Sequence, residues 1–92
     1  MKVVLVEGAV MAKVIGAKIT VAVDEAGQPV SFLWQGQRHV VKSIVDLWKE
    51  IGEWWDDATP RTVYKVMTSS HGVYELHWLH HSRSWWLQGI ED

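Results

Sequence analysis

Apolar and polar residues alternate along most of this chain with the period of two that marks β-strands. In "AKITVAV", Ile19, Val21 and Val23 fall on one side and Thr20 and Ala22 on the other. "VYELHWL" sets Tyr74, Leu76 and Trp78 against Val73, Glu75, His77 and Leu79. "KVVLV" is a short apolar run that reads as a buried strand. "VSFLW" and "RHVV" flank a polar Gln-Gly-Gln, which predicts a hairpin at Gly36 with Phe32 and Trp34 sharing a face. "TVYKVMT" and "WWLQGI" complete the strand pattern. "DEAGQP", "SSHG" and "HHSRS" carry the acidic, Gly, Pro and Ser residues of turns, near Gly27, Gly72 and Ser82. Gly72 is where a positive φ is expected. "EWWDDATPR" reads as a connection.

Residues 41–51 are ambiguous. Val41, Ile44, Val45, Trp48 and Ile51 follow the spacing of an amphipathic helix. Val41, Val45 and Leu47 also fit a strand with an irregular step. Periodicity alone leans to the helix, and the strand-rich surroundings pull the other way.

The pattern predicts one mainly β domain over residues 1–92. Its expected architecture is a single antiparallel sheet of about six strands, curved into a half-open barrel, with one short helix able to cover an end. The expected core is Trp34, Tyr74, Leu76, Trp78, Trp85 and Leu87.

Two Trp-Trp pairs, 54–55 and 85–86, complicate a one-core picture. Neighbours on a strand point to opposite faces. If Trp85 and Leu87 face the core, Trp86, Gln88 and Ile90 face away from it. Either residues 1–13 cover that face, or it is an interface for a second copy or another protein. The last strand could be a sheet edge, where strand addition is available. Trp86, Gln88, Ile90 and Trp55 are therefore the interface candidates.

Composition narrows the classes. A 92-residue chain buries a modest share of its surface, and seven Trp supply bulky core pieces. Without Cys there is no disulfide, thiolate metal site or catalytic thiol, which fits the cytoplasm. The net charge of −2 argues against strong phosphate binding. Glu7 interrupts the N-terminal apolar stretch, against a secretory signal. No run approaches a membrane span.

The chemistry-bearing residues are sparse. His71, His77, His80 and His81 are close in sequence. "HWLHH" matches no metal-ligand spacing, and His77 and His80 would face opposite sides of a strand. His77, His80 and His81 are nonetheless the residues a metal reading would use. The carboxylate pairs at 24–25, 56–57 and 91–92 fall in turns or at the terminus. Ser-Ser-His at 69–71 lacks the orienting third group of a nucleophilic site. Arg38, Arg61, Lys65 and Arg83, interspersed with aromatics, are the candidates for nucleic-acid contact. No catalytic residue and no cofactor is expected.

The order of motifs resembles a family of small bacterial proteins known as a domain of unknown function. The marks are Ile15, Gly16 and Ile19; Phe32, Trp34 and Gly36; Trp48; Gly-Val-Tyr-Glu-Leu at 72–76; and Trp85, Leu87 and Asp92. Where that family often carries an aromatic, this chain has His39. The resemblance implies β structure, so residues 41–51 are expected to form an irregular strand, or a strand running into a helical turn.

The latter half is also similar to the C-terminal segment of polymerase-like subunits of bacterial mutasomes, relatives of Y-family translesion polymerases. The shared order is Trp54, Trp55, Arg61, Tyr64, Gly72, Trp85, Leu87 and Gly89. It implies an accessory role around DNA damage tolerance and no catalytic residue.

The leading expectation is thus a non-enzymatic β interaction module with a protein partner, either another protein or a second copy in a homodimer. The alternatives are a single-stranded nucleic-acid binder and a small His-dependent metal protein. No membrane role is expected.

Overall fold

The computed structural model describes residues 2–6, 10–51 and 60–91, with side chains over 15–50 and 60–91. Seven strands appear: β1 (Lys2–Val6), β2 (Val10–Val23), β3 (Pro29–Trp34), β4 (Gln37–Ile51), β5 (Pro60–Thr68), β6 (Val73–Leu79) and β7 (Ser84–Glu91). All pairings are antiparallel and each strand pairs with the next. β2 also pairs with β7, so β2 to β7 close into a small barrel and β1 extends the sheet beside β2. Closure removes most of the free strand edge that a small sheet would expose.

Among the described residues there is no helix. The helix-like spacing over residues 41–51 is instead the signature of bulges. β4 shifts register against β5 between Val41 and Ser43 and again between Ile44 and Asp46. Each bulge slips the in-out alternation by one residue, so Val41, Ile44 and Leu47 take the inner side at steps of three, while Val45 is exposed.

The hairpin at Gly36 is tight. Gln35 and Gly36 both take positive φ, 52° and 75°, between Trp34 and its partner Gln37. That is the twist-matched two-residue turn. At the β5–β6 turn the left-handed residue is His71, with φ 70°, rather than Gly72. Gly72 meets a different constraint: a Cβ there would sit 2.8 Å from Cε1 of Tyr74.

The central core is Phe32, Val66, Leu76 and Leu87, each at most 1 % exposed. Trp34, Tyr74 and Trp85 are half-buried against it. Trp78, expected in the core, lies outside this cluster at one end of the barrel. Phe32, Val63 and Val66, outside the expected core set, are fully buried. His39 stacks on Phe32 with ring centroids 5.1 Å apart, and Tyr74 meets Phe32 edge-on at the same distance. The imidazole is thus one of three mutually packed rings.

β7 holds the principal correction. It pairs on both sides, with β6 and with β2, so it is no edge and offers no free backbone for strand addition. It also bulges. Leu87 pairs with Leu76 and Gly89 with Glu75, leaving Gln88 without a partner on β6. Trp86 and Gln88 stand together on the outer face, as alternation expects. Ile90, expected beside them, pairs with Tyr74 and packs against the core.

Candidate functional site

Two concave regions use the chemistry-bearing residues. The first is the open end, or mouth, of the barrel, with a cavity of about 770 Å³. Thr62, Tyr64, Trp78 and Trp85 share the inner face because Thr62 pairs with Trp78, and Trp78 with Trp85. Their rings cluster: Trp85 lies 5.3 Å from Tyr64 and 5.2 Å from Trp78. Leu47 and Lys49 enter from β4, and Gln28 from the β2–β3 turn. That turn is held by Asp24, whose carboxylate accepts from the backbone N–H groups of Ala26 and Gln28, both at 2.9 Å. Such a self-bonded turn gives the mouth one rigid lip.

The mouth is rich in donors. Lys49 is the one side chain with a permanent charge in its lining. Among the described residues the indole N–H groups of Trp78 and Trp85 have no acceptor. Burial, with the charge of Asp24 behind it, pushes the Tyr64 phenol above its ordinary ionisation range, so it stays a neutral donor. His80 Nε2 and Thr62 Oγ1 are 2.7 Å apart at the rim. The volume is that of a small-ligand or side-chain pocket.

The second region is a polar cleft on the outer face. Register sets Trp48, Val63, His77, Trp86 and Lys18 in one row across β4, β5, β6, β7 and β2. Arg61, Lys65, Glu75 and Gln88 flank the row. Two adjoining hollows, of about 420 and 310 Å³, share Arg61, His77 and Gln88. His77 is buried, and its Nε2 lies 2.7 Å from Oε2 of Glu75. That hydrogen bond holds the Glu75 carboxyl below the usual carboxylate range. Lys65 Nζ reaches Glu91 at 2.8 Å, and this bond raises the lysine's ionisation. Arg61 Nε is 3.7 Å from Oε1 of Glu50, an ion pair too long for a hydrogen bond.

The sequence candidates sort differently from their expected groupings. Arg61 and Lys65, read for nucleic acid, join Trp86 and Gln88, read for an interface, and His77, read for metal, in one cleft. Arg38 is exposed on β4 opposite Leu33, and Arg83 is exposed in the β6–β7 turn. The four cations therefore do not form one strip. His80 bonds Thr62 at the mouth and His81 is exposed in the turn. Among the described residues, no three His, Asp or Glu side chains are grouped as a metal site. Trp55 lies outside the described residues. The mouth as a unit was missed, although the alternation that aligned Trp78 with Trp85 could have found it once the strands were paired.

A small closed barrel with an aromatic mouth at one end defines a compact β domain, and no helix among the described residues is long and apolar enough to cross a membrane. The chain belongs to the family described as Domain of unknown function (DUF6504), whose model matches residues 4–92. No curated relative matches the chain. No solved structure matches it either.

Proposed function

We propose that this domain is a non-enzymatic binding module whose working surface is the barrel mouth. Its occupant is an extended, carboxylate-bearing segment of a partner protein. The observation that carries the reading is the open cluster of Tyr64, Trp78 and Trp85 with donors on all sides and Lys49 as the charged lining residue. An extended chain presents unpaired carbonyls, and aromatic-lined grooves with donor groups dock such chains. Trp and Tyr are also the side chains most enriched at binding hot spots.

The similarity to mutasome subunits supports a partner in DNA damage tolerance. Two of the residues in the shared order, Tyr64 and Trp85, form the floor of the mouth.

Selection of random linear peptides on the intact domain tests the reading. Binders should converge on a motif with an apolar or Pro residue beside Asp or Glu, and should weaken at least tenfold with Trp78→Ser or Lys49→Glu. Failure to converge, or binding indifferent to both changes, would overturn it. Tight binding of an oligo-dT strand that falls steeply with salt would instead make the rings a base-stacking platform.

A further inference from the structure

Among the described residues, two buried polar atoms on the outer face have no hydrogen-bond partner: Nε of Arg61 and Nδ1 of His77. The His77 side chain is only 7 % exposed. Both residues line the two hollows that meet at Gln88. Orphaned buried polar groups are rare in folded proteins and costly, so each one calls for a partner.

The chemistry of that partner is constrained. An ionised carboxylate only accepts, so the bond to Glu75 places a proton on Nε2 of His77. An imidazole carrying that single proton presents Nδ1 as a bare acceptor. Arg61 Nε–H can only donate. A hydroxyl is the simple group that accepts from one and donates to the other.

The surroundings point the same way. Gln88 offers both a donor and an acceptor, Lys65 donates, and Glu50, Glu75 and Glu91 accept. Three carboxylates against two fixed cations do not favour an anion. Trp86 lines the hollow with an apolar ring, oriented by the hydrogen bond from its Nε1 to Ser84 Oγ at 2.9 Å.

We propose that this cleft binds a neutral polyhydroxylated ligand, a sugar or polyol. Its hydroxyls engage Arg61 Nε–H and His77 Nδ1, and its C–H face rests on Trp86. The site is separate from the mouth and stands or falls independently of it.

The test is an NMR titration of the full chain with glucose, mannose, N-acetylglucosamine, ribose and myo-inositol. Concentrations up to on the order of 20 mM detect binding at millimolar Kd. At least one probe is expected to shift the Arg61 Nε–H and Trp86 indole signals while the Trp78 indole stays put. Arg61→Lys and His77→Gln should each weaken that probe at least tenfold. Gln88→Ala, a change at the unpaired bulge residue, provides a third variant should either of those fail to fold, and should also weaken binding. Silence from all five probes overturns the proposal, leaving ordered water as the partner of both atoms. A stronger response to acetate or inorganic phosphate at the same signals also overturns it, as does a neutral His77 protonated on Nδ1.

Discussion

Leu87→Ala strikes the centre of the barrel. Leu87 is 0 % exposed and belongs to the cluster with Phe32, Val66 and Leu76. The change removes three carbons, and at about 0.8 kcal/mol for each buried CH₂ the transfer loss is about 2.4 kcal/mol. A cavity term adds to it, because β7 is bonded on both sides and its neighbours cannot close the gap. The expected total is about 3–4 kcal/mol, within the range for buried Leu→Ala changes. A domain of this size has roughly 5–14 kcal/mol in all, so the variant should be marginal. Urea unfolding followed by Trp fluorescence and far-UV circular dichroism measures it. Thermal melting should fall by about 12–32 °C, at about 4–8 °C per kcal/mol. A loss below about 1.5 kcal/mol would refute the placement of Leu87 at the core's centre.

The bulge on β7 makes a sharper comparison: inserting Ala between Gly89 and Ile90 should slip Ile90 off Tyr74 to the outer face and strongly destabilise the fold, whereas Gln88→Ala should stay within about 0.5 kcal/mol; equal melting temperatures for the two would contradict the register. Glu75 has a lowered folded-state pKa because His77 hydrogen-bonds its charged form. Its contribution is therefore full above the unfolded value near about 4.3 and is lost as pH falls through the lower folded value. Denaturant melts should show Glu75→Gln less stable than wild type at neutral pH, with the gap closing in acid; a gap that widens in acid would reverse the assignment. Tyr64 should ionise above the usual phenol value of about 10 in an absorbance titration, with that step absent in Tyr64→Phe and shifted down in Asp24→Asn.

Strand identity was legible because period-two alternation is a local property. "VYELHWL" and "AKITVAV" alternate cleanly and fold as β6 and the end of β2. What the alternation could not reveal is where it slips. The bulges in β4 mimic helical spacing, and the bulge at Gln88 moves Ile90 to the core. Bulges answer to the register of the partner strand, which no single segment encodes. The β2–β7 pairing is equally non-local, joining residues near opposite ends of the chain, and it turned an expected edge into an interior strand. Both sites join side chains from separate strands, so they appear only once those strands are paired. The outer cleft assembles Arg61, His77 and Gln88 from three strands, and the mouth assembles Tyr64, Trp78 and Trp85 from the same three.

The most direct test of the mouth as the working surface is indole mapping. Each Trp N–H gives its own NMR signal, assignable by substitution. On titrating a peptide selected on the domain, the signals of Trp78 and Trp85 should shift together and saturate at one equivalent, while Trp86 on the outer face should not move. Shifts confined to Trp86, with Trp78 and Trp85 unchanged, would contradict the account.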